Sequence, residues 1–309
     1  MKEEPLVSIA LCTYNGAGFL RQQLDTLVSQ SYQNLEIVAV DDRSSDGTFL
    51  ILGEYAQKHP NLRIYQNEQN LGFTGNFERT VKLCKGELIA LCDQDDLWDP
   101  QKIELQVNAI GDNVFIYHDS EFIHEDGMPM GKKMSDVLNL YRGDSPEAFL
   151  FFNCVSGHSI LMKRELIDAA LPLEKGYFHD WWLAYVATNI GKIDFLPQTL
   201  VKYRQHDQSE TNILKLAREK NNYKFSSEEN YKRRLKWLKH CTEFSQNKNP
   251  ELVKKVYEAY EDRQGRFIAF GLSRLLFKHW KIIFSISKKA GLSKLNFVRK
   301  EMRGISISE

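Results

Sequence analysis

Asp93-Gln94-Asp95-Asp96 sets three carboxylates within four residues, directly after the apolar run Glu87-Leu88-Ile89-Ala90-Leu91-Cys92. The run reads as a buried strand of a parallel sheet. Acids crowded at its carboxyl end repel one another unless a cation sits among them. Oxygen ligands favour a hard divalent ion, Mg²⁺ or Mn²⁺, and such an ion keeps room for substrate phosphates. The same residues also fit a polar strand-to-helix turn, with Asp99 capping a helix that has Pro100 at its first position. An EF-hand is excluded. Counted from Asp93, its fifth position is Leu97 and its sixth is Trp98, where that loop requires glycine.

The elements upstream explain how such a site would be held. Val7-Ser8-Ile9-Ala10-Leu11 predicts a short strand, and Leu20, Leu24, Leu27 and Val28 mark a helix. A second strand, Leu35 to Val40, ends at Asp41-Asp42, and Ser44 to Thr48 forms a turn and helix cap. A strand at Leu62–Tyr65 and a helix from Phe77 to Cys84 precede the acidic cluster. Strands alternating with helices predict a parallel sheet covered on both faces, with ligands at the carboxyl ends of its strands. Neither familiar phosphate loop is present. Gly16-x-Gly18 is followed by Arg21 where a dinucleotide fingerprint needs glycine, and no Gly-Lys-Ser/Thr occurs. What remains is Tyr14 at one strand end, able to stack on a base, and two acids at the next, able to accept from an imide N–H. The structural alternatives are a Tyr packed on the sheet edge and an Asp capping a turn.

Four segments in order carry a resemblance: Ser8 to Asn15, Val40-Asp41-Asp42-Arg43-Ser44-Ser45-Asp46-Gly47-Thr48, Asn70-Leu71-Gly72 and Asp93-Gln94-Asp95-Asp96. Together they resemble family 2 glycosyltransferases of the GT-A fold over about the first 210 residues. The resemblance implies an inverting, metal-dependent enzyme that uses a nucleoside-diphosphate sugar. It places Thr13, Tyr14, Asn15, Asp42, Gly72 and Asp93 in the donor nucleotide site, with Tyr14 and Asp42 at the base. Asp95 matches the metal-binding acid of the DxD motif, assisted by Asp93 and Asp96.

Further along, Val114 to His118 reads as a strand followed by acidic loop material at Asp119, Glu121, Glu125 and Asp126-Gly127. Cys154 to Met162, with Gly157, resembles the family's strand leading into the acceptor region. In Phe178-His179-Asp180-Trp181-Trp182, Asp180 matches the catalytic base, which must deprotonate the acceptor hydroxyl. The family's Glu-Asp pair is here His179-Asp180, which puts any part played by the first acid in doubt. Trp181 and Trp182 offer a platform for a sugar ring, although at least one of them is expected in the core. Tyr203-Arg204-Gln205-His206-Asp207-Gln208-Ser209 resembles the Arg-x-His segment of bacterial rhamnosyltransferase-like members. That likeness assigns Arg204 to phosphate and His206 to the diphosphate or the metal. By resemblance, Asp93-Gln94-Asp95-Asp96 with Trp98, together with His179-Asp180-Trp181-Trp182, leans toward a deoxyhexose donor such as dTDP-rhamnose, with a UDP-hexose as the other choice. The acceptor class implied is a glycan or polyprenyl-linked glycan in cell-surface polysaccharide synthesis.

Composition sets the outer bounds. The 309 residues carry equal numbers of acids and bases, yet residues 1 to 210 hold 18 basic and 31 acidic side chains while 211 to 309 hold 23 and 10. That break predicts a GT-A domain over 1–210 and a basic helical extension over 211–309. Five scattered cysteines without a CxxC pair argue against zinc and disulfides and suit a reducing cytoplasm. The acidic start, Met1-Lys2-Glu3-Glu4-Pro5, predicts no signal peptide, and no run of 18 apolar residues spans a membrane. From Arg263 to Lys300 there are ten Lys or Arg and no acid, beside Leu272, Leu275, Leu276, Trp280 and Ile283 at helical spacing. This stripe reads either as an interfacial helix on anionic lipid or as a helix packed on the rest of the protein. Nucleic acid has no supporting motif. The fold class is thus α/β. Beside the transferase reading stand a nucleotidyltransferase, which releases pyrophosphate, and a non-catalytic sugar-nucleotide or membrane-scaffold protein, which is indifferent to loss of Asp180.

Overall fold

The computed structural model describes residues 4–174, 177–206 and 226–305. They form two compact units: the residues up to Asp144 with Cys154–His206, and Ser145–Asn153 with the residues from Ser226 on. The boundary expected at residue 210 lies outside the described residues, as do Asp207, Gln208 and Ser209.

The first unit runs β1 (Val7–Thr13), α1 (Ala17–Val28), β2 (Leu35–Asp41), α2 (Thr48–Ala56), β3 (Leu62–Gln66), α3 (Gly72–Leu83) and β4 (Leu88–Cys92). It continues with β5 (Leu97–Trp98), α4 (Lys102–Ile110), β6 (Phe115–Ile123), β7 (Pro129–Lys133), α5 (Met134–Val137), β8 (Leu161–Lys163), α6 (Arg164–Ala170), α7 (His179–Ile190) and β9 (Ile193–Arg204). The strands form one mixed sheet in the order β3-β2-β1-β4-β8-β6-β9-β5, with β7 on β6. β3, β2, β1 and β4 are mutually parallel.

Burial explains the central strands. Every residue of β1 and of β4 is buried, which requires apolar side chains on both faces and cover on both sides. Helix α1 supplies part of that cover through Leu20, Leu24 and Leu27, spaced for one helix face. Register then positions the site. Thr13 lies opposite Asp41, Asp41 opposite Gln66, and Leu11 opposite Cys92. The loops after β1, β2, β3 and β4 therefore leave the same sheet edge. The chain reverses direction across the sheet between β1 and β4, and this is the switch point where open α/β sheets take ligands.

Several expectations are corrected. Helix α3 begins at Gly72, not Phe77. Asp99 accepts from the Gln101 N–H at 2.8 Å, and α4 begins only at Lys102, so Pro100 stands in the turn ahead of the helix rather than at its first position. Asp119 and Glu121 belong to β6 rather than to a loop. Asp119 is buried and is held by Ser120 and Ser135. In the segment 154–162, Gly157–Ser159 is a 3-10 turn and the strand is the short β8. All five cysteines are buried and none is in a disulfide.

The second unit contains α8 (Ser227–Glu243), α9 (Pro250–Glu261), α10 (Phe270–Lys278), α11 (Trp280–Ile283) and α12 (Gly291–Met302). Ser226 and Glu229 close a capping box at the start of α8, and Pro250 opens α9. The segment Ser145–Asn153 is stitched to α8. The Trp237 indole N–H donates to Leu150 O at 3.0 Å and Arg234 Nη1 to Phe151 O at 2.8 Å. Leu272, Leu276 and Ile283 are buried, so most of the stripe that suggested an interfacial helix is core of this unit.

Candidate active site

The loops at the sheet edge are tied to one another by side chains. The Gln94 amide accepts from the Tyr14 N–H at 2.8 Å and donates to the Tyr14 carbonyl at 2.9 Å, joining the loops after β1 and β4. Gly16 makes this possible, because a Cβ there would lie 2.1 Å from Gln94 Oε1. Asn15, at φ +47°, donates its N–H to Ser44 Oγ and accepts from the Ser45 N–H. The Thr13 hydroxyl donates to Asp41, which also holds Ser44 and Gln66. Asp41 is thus the bracing member of the acid pair. Tyr14 is half exposed.

Asp42, placed at the base by the resemblance, is buried. Its Oδ1 accepts from the Leu71 N–H at 2.8 Å and from Asn67 Nδ2, and its Oδ2 from the Gly72 N–H at 2.9 Å. Gly72 has φ +75°, a conformation that favours glycine, and there it opens α3. A carboxylate has about four acceptor positions, so three donors among the described residues leave Oδ2 room for one more. Asp42 therefore shapes the loop after β3, and these donors leave one acceptor position of Oδ2 untaken.

The acidic cluster divides into two sets. Asp95 Oδ2 lies 2.7 Å from His206 Nε2, and the His206 ring packs on Phe19. Asp93, Asp96 and His158 form the other set, each offering a ligand atom within 4.8 Å of the others. Asp96 is fully buried; its Oδ1 accepts from the Arg204 N–H at 2.9 Å, and its Oδ2 is 3.4 Å from His158 Nδ1 with no hydrogen-bond partner. Burial first, then Asp95 and Asp180, push the Asp93 carboxyl up to about 7. Burial, then Asp95 and Asp93, raise Asp96 as well. His158, buried, is held down at about 3 and stays neutral. Crowded carboxylates, an orphaned carboxylate oxygen and a neutral imidazole are a donor set that fits a divalent cation.

Arg204 departs from its expected role. It is buried and spends its guanidinium on the protein: Nε on Asp95 O at 2.7 Å, Nη1 on Glu125 O and Nη2 on Gln22 Oε1. It braces the acidic loop from behind and is no free cation for phosphate.

Asp180 enters from the start of α7, and its charge reaches Asp93. Burial raises its carboxyl to about 7, while the N–H groups of Trp181 and Gly157 pull the other way. Gly157 is thereby a positioning residue of the acid. His179 is buried against Phe77, with ring centroids 4.2 Å apart and both ring nitrogens without hydrogen bonds. Burial lowers it to about 4, so the ring is neutral where the family carries an acid. Gly157 is again decisive, since a Cβ there would meet His179 Nε2 at 3.0 Å. Trp181 is partly exposed. Trp182 is corrected to core. It is buried, donates its indole N–H to Ala170 O at 2.8 Å and stacks on Tyr185.

Sequence reasoning missed three residues. His158 stood in the acceptor-region motif without a role; its signal was an imidazole ahead of the apolar run Ile160-Leu161-Met162. Gln94 stood within the acidic motif without a role. Lys102, given no role, is fully buried, with Nζ 3.3 Å from the Trp98 ring centroid and its amine lowered to about 7 by desolvation. Ser120 Oγ, His158 and Asp96 also line up as hydroxyl, imidazole and carboxylate. The hydroxyl is buried, so this is no nucleophilic triad.

The family model for glycosyl transferase family 2 matches residues 8–169, just over half of the chain. The chain belongs to glycosyltransferase family 2. An uncharacterized glycosyltransferase of Rickettsia typhi is 31% identical over 221 residues, covering 67% of this chain and 66% of that protein. An uncharacterized protein of Mycobacterium tuberculosis is 32% identical over 208 residues, covering 65% of this chain and 59% of that protein. The chain thus spans about three fifths of the length of the mycobacterial relative. Among solved structures, S. aureus TarS 1-349 in complex with UDP-GlcNAc superposes with a TM-score of 0.61 at 15% identity, over 96% of this chain and 88% of that one. The mannosyltransferase PcManGT of Pyrobaculum calidifontis, in complex with GDP-Man and Mn²⁺, gives 0.55 at 17% identity over 97% and 80%. The family 2 unit therefore has the GT-A fold, a mostly parallel sheet flanked by helices and followed by a helical region.

Proposed function

We propose that the chain transfers a sugar from a nucleoside-diphosphate donor to an acceptor hydroxyl with inversion. The observation that carries this reading is the donor set of Asp93, Asp96 and His158, with ligand atoms within 4.8 Å of one another, at the strand ends of a family 2 chain. In the predicted step the acceptor oxygen attacks the anomeric carbon and its proton passes to Asp180. The bond from that carbon to the diphosphate breaks, and the nucleoside diphosphate departs with the electron pair. A base near pH 7 suits the task, because it is free to accept a proton yet still basic.

Asp93 and Asp95, with Asp96, His158 and His206 around them, are the residues that would hold Mg²⁺ or Mn²⁺. When bound, the ion neutralises charge developing on the leaving diphosphate. Tyr14 would stack on the base, and the open acceptor on Asp42 suits the imide N–H of uracil or thymine. Support for the donor class comes from neighbours of the same fold solved with UDP-GlcNAc, UDP and GDP-Man. Within it we favour a dTDP-deoxyhexose such as dTDP-rhamnose, then a UDP-hexose. The acceptor is read as a glycan or polyprenyl-linked glycan, met by Trp181, His179 and the Gly157 turn at the inner face of the cell membrane.

Asp180→Asn is the test. It should keep nucleotide binding within about twofold and lose transfer by roughly 10²–10⁴. Near-normal turnover in this variant would remove Asp180 from the role.

A further inference from the structure

Helix α10 buries Leu272 and Leu276 and leaves a second apolar stripe outside. Phe270, Arg274 and Phe277 follow one another at spacings of four and three, which puts them on one helix face. Phe270 is 63% exposed and Phe277 52%, and Phe267, just before the helix, is 92% exposed. Lys278 and Lys281 are exposed alongside. From Arg263 to Ile305 there are eleven Lys or Arg and one acid, Glu301. That acid is paired with buried Arg263. Every other carboxylate or cation charge of this stretch is therefore positive.

We propose that this face docks on an anionic lipid surface. Phenyl rings exposed to this degree are poorly placed in water, and they stand among cations rather than alone. A bilayer interface receives both at once, the rings at the boundary of headgroups and acyl chains and the cations among the phosphates. A soluble polyanion would satisfy the cations and leave the rings in water. A second copy would bring like charge against like. No helix among the described residues is long and apolar enough to cross a membrane, so the contact is a lying-on one. The sequence had pointed to the stripe through Leu272, Leu276 and Ile283, and those residues are core. The outward rings are a different set, found only once the helix is seen in place. This inference stands apart from the transferase reading and uses none of its residues.

The test is flotation of the full chain with vesicles of phosphatidylcholine alone and with 30% phosphatidylglycerol, about the charge of an anionic leaflet. The native chain should float with the anionic vesicles, be released as salt rises, and stay behind with the neutral ones. A Phe267→Ser/Phe270→Ser/Phe277→Ser variant and an Arg274→Gln/Lys278→Gln/Lys281→Gln variant should each lose at least about tenfold in partitioning. Nucleotide binding should stay unchanged and the thermal midpoint fall little, since five of the six side chains are exposed without ring contacts and Phe277, half exposed, gives up only its stack on Trp280. Equal partitioning of the native chain and the phenylalanine variant overturns the proposal, as does no flotation of the native chain. Binding to soluble polyphosphate that ignores the phenylalanine changes, with no flotation, assigns the face to a polyanion instead.

Discussion

Gln94 grips the backbone of Tyr14 with both ends of its amide, at 2.8 and 2.9 Å. The aromatic ring proposed to meet the base and the acids proposed to meet the diphosphate are thus set by one side chain. Gly16→Ala should break this link, because the new methyl would stand 2.1 Å from Gln94 Oε1. Losing two hydrogen bonds of about 1 kcal/mol each predicts a fall of up to about thirtyfold in nucleotide affinity. Gln94→Ala should do the same, and the double variant little more. Fully additive losses, measured by calorimetry, would show that the link is not what Gly16 protects.

The pH profile should report Asp180. Burial raises its carboxyl to about 7, and only the ionised form accepts the acceptor's proton. Transfer under saturating donor should therefore fall about tenfold per pH unit on the acid side of about 7. A profile flat down to pH 5 would contradict the assignment.

Asp93 gives a stability prediction with a definite sign. Its folded carboxyl, raised to about 7 chiefly by burial and then by Asp95 and Asp180, lies above the unfolded value. The native state therefore binds the proton more tightly, and this group's contribution is fully present below about pH 4 and lost as pH rises through about 7. Asp93→Asn, lacking that titration, should gain on the native chain steadily from pH 5 to pH 8. Divalent metal should reverse the order by stabilising only the native chain. Thermal midpoints of the two chains across that range, with and without Mn²⁺, decide it; a constant difference would contradict it.

Arg204→Lys should not be conservative. The guanidinium serves Asp95 O, Glu125 O and Gln22 Oε1 at once, and an ammonium on a flexible stem cannot match that fork. A loss of about 2–4 kcal/mol in denaturant stability is expected, from buried acceptors left without donors. A loss below about 0.5 kcal/mol would mean that Arg204 braces nothing.

Legibility in the sequence followed how local each signal was. The strands β1, β2 and β4 were readable because burial on both faces demands unbroken apolar runs, and these appear in seven or fewer residues. Strand β9 was not, because Pro197 and a polar stretch interrupt it and its pairing with β6 shifts register near Asp119. Among site residues, the types were readable and the roles less so. Resemblance singled out Asp42 over Asp41, but only the hydrogen bonds show that Asp41 braces a turn while Asp42 holds the Gly72 loop. Arg204 looked like a phosphate ligand because charge is visible in sequence and its partners, from Gln22 to Glu125, are not. Lys102 and His158 were missed for the same reason, since burial of a polar side chain depends on distant chain.

Calorimetric titration of UDP, dTDP and GDP into the full chain, with and without Mn²⁺ and repeated on Asp95→Ala, tests the donor site most directly. The predicted result is binding of dTDP or UDP that requires Mn²⁺ and falls at least about tenfold in the variant. Binding that ignores both the metal and Asp95, or no nucleotide binding at all, would contradict a nucleotide-sugar site at this sheet edge.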